Sequence, residues 1–377
     1  MNLTLSFAAG LVALAAGGCA AAATVVGPIQ RLDDTGMARC AVDGAFSTAC
    51  AGTGQDGEFG RDASAHERSD GRAGFRYARV CGSGEDAGTG TCPAAPPVGT
   101  GHDDWACTRD VVTGLLWELK QQDGSIRDRF TLVSMENWGW GFATATELRT
   151  TLDAAAACGS TTWDTPTMTE LLSLVDFGIV TGTRIDQRFF PNTPVHYEYA
   201  VPYPRLTPDE GNYYGIAFGS GTRSGAYPGD GTYIRLVTRP SLAGGPRYAV
   251  GADPAVVSDR WTKLVWRRCR LGTNYVDGAC VGDPKRMTWA TALEVANGTP
   301  GWRLPNVKEL ASLTTLDDGQ MDGTAFLGVR DGRFWSSTPD ARGAGAAWRV
   351  QFDDYGALTW GPVPVDDRAM VYLVRDR

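Results

Sequence analysis

The chain has 377 residues and a formal net charge of -8, from 35 Lys+Arg against 43 Asp+Glu. Apolar residues at 43% and charged residues at 21% describe a globular protein with a sizeable core rather than a disordered or fibrous one. The acidic balance argues against a general nucleic-acid binder, and three scattered histidines (His66, His102, His196) argue against a His-rich metal centre or His-based acid–base catalysis.

At the N-terminus no charged side chain precedes Arg31, and Leu3 to Ala16 forms a short apolar run. That length suits a signal-peptide core and is short for a membrane-spanning helix. Ala16-Gly17-Gly18-Cys19 resembles a bacterial lipobox, so residues 1–19 are expected to be a lipoprotein-type signal peptide with lipidation at Cys19. Cleavage within Ala20–Ala23 is the competing route. Either route exports the chain. The expected location is the bacterial envelope, as an outer-membrane or cell-surface lipoprotein touching the membrane only through that anchor. A periplasmic or secreted protein is the alternative.

Setting Cys19 aside leaves an even set of eight cysteines, as an oxidised framework in an exported chain would have. Cys40/Cys50, Cys81/Cys92 and Cys269/Cys280 each enclose a short polar loop, so local pairing is the economical choice, leaving Cys107 with Cys158. No CxxC pair is present, which argues against zinc or redox-active cysteines. Residues 24–104 are rich in Gly, Asp, Ala and Arg, and Gly82 to Gly101 has no periodicity, so this region reads as a disulfide-held spacer. A second joint lies at Pro240 to Pro246.

The stretches 105–240 and 247–377 repeat one another. Thr113–Trp117 (TGLLW) matches Thr262–Trp266 (TKLVW). The Ala/Thr-rich helical segments Phe142–Leu152 and Trp289–Ala296 follow. Trp163–Leu174 then aligns with Trp302–Leu313, and Ile234–Val237 echoes Val371–Val374. Within the aligned segment, Thr167 and Asn306 stand three residues before Glu170 and Glu309, the spacing of a capping box at a helix start. Those glutamates therefore read as caps rather than catalytic acids. Met168, Leu171, Leu172 and Val175 form one apolar face, matched by Val307, Leu310, Ala311 and Thr314. Trp348, Val350 and Phe352 alternate with polar residues as in a half-buried strand, and Met370 to Val374 suits a buried central strand. Each repeat is thus expected to be an α+β domain of helices and antiparallel sheet.

The second copy carries Leu264-Val265-Trp266, Trp302–Leu310 (WRLPNVKEL), Phe334–Thr338 (FWSST) and Val374-Arg375. These motifs resemble the Lcl C-terminal domain family, named after a bacterial collagen-like adhesin. The first copy keeps Thr113–Trp117 but departs at Asp164-Thr165, where the pattern has Arg-Leu, and has His196-Tyr197-Glu198-Tyr199 where Trp-Ser-Ser-Thr stands. Asp34-Thr35-Gly36 and Gly60-Arg61-Asp62 look like the leader of exported members. By analogy the resemblance implies a C-type-lectin-like or formylglycine-generating-type scaffold.

The expected function is a non-enzymatic, envelope-associated binding or adhesin-like protein recognising a glycan or a surface protein, without a cofactor. Tyr355 and Trp360, beside Gly-rich turns, are candidates for stacking on sugars, with Arg349, Asp353 and Asp354 as polar neighbours. The alternatives are a formylglycine-generating-like oxidase and a structural assembly component, the latter including a homo-oligomer. No metal site is expected: the Asp-rich turns Asp317-Asp318, Asp353-Asp354 and Asp366-Asp367 lack EF-hand spacing.

Overall fold

The structure is a computed structural model that describes residues 32–64, 67–129, 131–134, 142–193, 198–201, 213–226, 232–240, 245–314, 321–328, 331–352 and 358–377. It consists mostly of small antiparallel sheets with four short α-helices and two 3-10 turns among these residues. Four disulfides join Cys40 to Cys50, Cys81 to Cys92, Cys107 to Cys158 and Cys269 to Cys280.

The two repeats share one topology. In the first, a four-stranded sheet runs in the order Val237–Thr238, Leu116–Glu118, Trp105–Asp110, Tyr77–Cys81. In the second, Val374–Asp376, Leu264–Arg267, Val256–Asp259 and Tyr248–Val250 take the same places. Each repeat adds a three-stranded antiparallel meander: Glu198–Val201, Tyr213–Ala217, Thr222–Ala226 in the first and Gly332–Pro339, Ala346–Phe352, Leu358–Pro364 in the second. The region before residue 105 is therefore more than a spacer, because it supplies the edge strand Tyr77–Cys81 and two core rings, Phe75 and Tyr77.

Each repeat also holds a pair of helices, α1 (Ala145–Ala154) and α2 (Met168–Ser173), then α3 (Trp289–Asn297) and α4 (Val307–Ala311). Both capping boxes close: Glu170 N–H donates to Thr167 Oγ1 at 3.2 Å, and Glu309 N–H donates to Asn306 Oδ1 at 2.9 Å. Asparagine thus serves as well as threonine, its side-chain oxygen reaching the same orphan N–H group. The apolar faces of α2 and α4 meet each other, and Leu171, Leu172, Val307 and Leu310 enter one core that includes Trp117 and Trp266 from the two sheets. Phe177 meets Trp348 edge-on at 4.7 Å, and Trp360 Nε1 donates to the Gly221 carbonyl at 2.7 Å, so first and second repeats are packed as one body.

Met370 to Val374 is buried but is not a central strand. Its backbone is divided among neighbours: Met370 pairs with the strand Gly332–Pro339, Val371 accepts from Leu271, and Val374 exchanges hydrogen bonds with Arg303. A continuously apolar run here reflects a segment enclosed by both sheets, and only its end, Val374–Asp376, joins a ladder as an edge strand.

The departure at Asp164 has a physical account. In the second repeat Arg303 forms a two-pronged pair with Glu309 (2.7 Å and 2.7 Å) and reaches Asp376 at 3.1 Å. In the first, Arg239 forms the two-pronged pair with Glu170 (2.6 Å and 2.8 Å) and reaches Asp164 at 3.1 Å. Arg239 aligns with Asp376, and Asp164 aligns with Arg303, across backbone bridges at equivalent places (Asp164 to Val237, Arg303 to Val374). The arginine and the aspartate have exchanged positions while the buried glutamate keeps its bidentate partner. Accordingly, Arg239→Asp alone should cost about 3 kcal/mol, because it strands a buried carboxylate. Combining it with Asp164→Arg should recover most of that loss. Chemical denaturation of the two single variants and the double variant measures the coupling.

Candidate functional site

The leader, residues 32–64, folds against the start of α4. Lys308 stands at the centre of this junction, fully buried. Its ammonium donates to the Asp34 carbonyl at 2.7 Å and to the Ser173 carbonyl at 2.8 Å, and lies 4.3 Å from the centre of the Phe75 ring. One side chain of the second repeat thus ties together the leader and the C-terminal end of α2 in the first. Burial pushes the Lys308 pKa down to about 8, with Asp33 and Asp176 opposing that shift.

Beside this junction lies a cavity of about 330 Å³. Leader residues Leu32 to Asp34, Asp56 and Phe59 to Arg61 line one side. Thr262 to Leu264, Arg303, Asn306, Glu309, Ser337 and Asp376 of the second repeat line the other. Arg303 Nε and Thr262 Oγ1 are buried without a hydrogen bond among the described residues, and the buried Asp33 carboxyl is met by that of Asp110. Arg61 Nη2 lies 3.6 Å from Asp33 Oδ1, an ion pair rather than a hydrogen bond. Lys263, at the rim, has φ of 66°, where the first repeat has Gly114 at 78°. A lysine held in a left-handed conformation that its sister position gives to glycine carries a backbone cost.

Three carboxylates converge beside this cavity, two of them, Asp34 and Asp56, on its wall. One oxygen from each of Asp34, Asp56 and Asp62 lies within 4.8 Å of the others. Asp34 Oδ2 accepts the Arg61 N–H (2.5 Å) and the Asp62 N–H (3.2 Å), and Oδ1 accepts the Thr35 N–H (3.0 Å). Gly60, with φ of 84°, lets the Asp34 carboxylate approach the chain where a Cβ would collide with it. Asp56 Oδ2 accepts from Thr35 Oγ1 (2.7 Å) and Thr338 Oγ1 (2.6 Å). Thr338 in turn accepts the Val307 N–H at 3.0 Å, so the end of the Phe-Trp-Ser-Ser-Thr strand links the helix start to the leader. Trp335 Nε1 donates to the Met287 carbonyl, and Ser336 Oγ to that of Trp348. These contacts make that strand a structural bracket.

Burial, reinforced by Asp34, raises the Asp56 pKa to about 7 and raises that of Asp62; burial and the neighbouring Asp110 raise that of Asp33.

The residues singled out from sequence are distributed elsewhere. Arg349 pairs with Asp367 on the second meander. Trp360 is only 5% exposed and packs in the inter-repeat core, so its ring is not a free stacking surface. Asp353, Asp354 and Tyr355 lie outside the described residues, as do Cys19, His196 and Asp317-Asp318. Cys269 and Cys280 are bonded across the hairpin Thr273–Val276, Ala279–Gly282, a staple at the side of the second repeat. The sequence reading did not single out Asp33, Asp56, Thr262 or Lys308. The only signals were the Asp34-Thr35-Gly36 and Gly60-Arg61-Asp62 runs and a lysine where the sister repeat has glycine.

The sign of the pH dependence follows from the raised pKa of Asp56. Between about pH 4, where an unfolded aspartate titrates, and pH 7 the folded chain holds a proton that the unfolded chain releases. This group's contribution to stability is therefore present at low pH and is lost as pH rises through that window. In chelator, the thermal midpoint should rise from pH 8 to pH 5, and Asp56→Asn should flatten the profile. Lys308, titrating at about 8 in the folded chain, acts above this range, where its depressed pKa adds stability as pH rises. Replacing it by Lys308→Met should cost about 3 kcal/mol in denaturant unfolding at pH 7, by leaving the buried Asp34 and Ser173 carbonyls without their donor.

No curated protein matches the chain. The model of one family, the Lcl C-terminal domain, matches it twice, over residues 106–238 and 255–375, more than half its length. With the sheets, paired helices and capping boxes repeated at equivalent places, the chain belongs to the Lcl C-terminal domain family and carries two tandem copies of that domain.

Proposed function

We propose that the protein is an exported, cell-envelope binding protein, adhesin-like and without catalytic activity, and that a glycan or the polar surface of a partner protein enters the cavity between the leader and the second repeat. The observation that carries this reading is a cavity lined on both sides by charged and hydroxyl-bearing side chains, among them Arg61, Thr262, Lys263, Arg303, Ser337 and Asp376. Arg61, Lys263 and Arg303 are donors, Asp376 is an acceptor, and the hydroxyls of Thr262 and Ser337 can do both. A wall of this kind suits a ligand rich in hydroxyl groups, each of which both donates and accepts. The strained Lys263 at the rim is what a side chain retained for contact rather than for the fold would look like.

Export is supported by chemistry rather than by position in the chain. All eight cysteines from Cys40 onward are in disulfides, which persist in oxidising compartments. Among the described residues no helix is long and apolar enough to cross a membrane. Attachment to the envelope would then run through Cys19. The C-type-lectin-like analogy fits the general plan of helices and small sheets, and it stays an analogy of scaffold.

Two measurements test the reading. Protease shaving of intact cells, with mass analysis of the N-terminus, should find a lipid on Cys19 and peptides from both repeats; an intracellular, unprocessed chain would refute export. On a glycan array and on cells, Thr262→Val and Lys263→Gly should each weaken binding about tenfold. Lys263→Gly should at the same time raise stability by about 0.5 kcal/mol as strain is relieved. Unchanged binding by both variants would remove the cavity from the site.

A further inference from the structure

We propose that Asp34, Asp56 and Asp62 bind one hard divalent cation of the calcium type, at the back of the cavity. This inference goes beyond the binding function above and does not depend on which ligand, if any, enters.

The geometry comes first. Calcium is held by oxygens at about 2.3–2.6 Å, so two oxygens on one ion stand no more than about 5 Å apart. The three carboxylate oxygens lie within 4.8 Å of one another, close enough for all three to touch a single ion. Oxygen ligands with several carboxylates are the donor set of a hard cation, and no cysteine or histidine belongs to the cluster.

A second observation points to a missing partner. Asp62 is 0% exposed, and its Oδ1 has no hydrogen-bond partner among the described residues. Its other oxygen competes for one proton: Thr35 Oγ1 lies 3.2 Å from Asp62 Oδ2 and 2.7 Å from Asp56 Oδ2, and a hydroxyl donates once. Asp34 and Asp56 have their own donors, whereas Asp62 has only the neighbouring Asp34 carboxyl, with which it shares a proton when no cation is there, and its Oδ1 has no donor. A buried carboxylate with an unsatisfied oxygen is costly unless a cation or a proton meets it. Because Asp34 and Asp56 also line the cavity, an ion and its remaining water ligands have a route in from solvent.

The test uses the full mature chain with its disulfides intact, stripped by chelator and passed over chelating resin. Calorimetric titration with calcium chloride at fixed ionic strength should show one saturable site per chain. At calcium about 100-fold above the dissociation constant, the folded-to-unfolded ratio should rise about 100-fold, with a matching rise in the thermal midpoint. Asp62→Asn keeps the shape and removes the carboxylate that a cation needs. It should raise the midpoint of the stripped protein, weaken calcium binding at least tenfold and abolish the calcium-dependent rise. Asp366→Asn, on an exposed turn, should change neither. The wild-type titration decides the matter even if Asp62→Asn fails to fold. No saturable heat and no shift in midpoint would overturn the proposal, as would binding that Asp62→Asn leaves intact. A requirement for protons alone, with the midpoint following pH and ignoring calcium, would overturn it too.

Discussion

A buried ammonium group holds the three parts of this molecule in register. Lys308 belongs to the helix start of the second repeat, yet its two hydrogen bonds go to the backbone of the leader and of the first repeat, and its face covers Phe75. Carbonyl oxygens and an aromatic ring are a strong but geometrically demanding environment for a charge taken out of water. The surrounding acids, Asp33 and Asp176 foremost, oppose the loss of that charge. The price is a concentration of buried carboxylates at one junction, and that concentration makes this end of the molecule the chemically unusual one.

The duplication explains why the junction exists. Two copies of a domain whose short helices each expose an apolar face bury those faces against each other, and the start of α4 then lies against the end of α2, where Lys308 reaches the Ser173 carbonyl. The copies have diverged where one solution can replace another. Asparagine replaces threonine as cap, and an arginine–aspartate pair has traded places around an unchanged glutamate. They have diverged without replacement at Lys308, opposite Thr169 in the alignment, and at Lys263, opposite Gly114. Those asymmetric positions are where the leader and the cavity lie, on the side of the second repeat.

Much of the local structure was legible in the residues. Capping boxes are written as four-residue patterns, and the alternation of Trp348, Val350 and Phe352 marks the strand Ala346–Phe352, because both depend on neighbours in the chain. The apolar stripe of α2 marks its buried face for the same reason. Met370 to Val374 was harder: an unbroken apolar run says that a segment is enclosed, and says nothing of how many neighbours share its hydrogen bonds. Trp360 was harder still. A tryptophan near a glycine turn looks alike in sequence whether it faces solvent or the other repeat, and only the packing of Gly221 against it decides.

The sequence by itself determined a duplicated domain of helices and antiparallel strands, its helix starts and its four disulfide pairs, since these are set by periodicity and spacing. Only the tertiary structure decided that Tyr77–Cys81, ahead of the first repeat, completes that repeat's sheet and that Asp34, Asp56 and Asp62, spread over 29 positions of the chain, meet around a common point. It also decided that Lys308 points away from its own repeat. The reason is the same in each case. Charges separated along the chain and joined only through folding leave no periodic trace, and their cost and use arise only once burial removes the water between them.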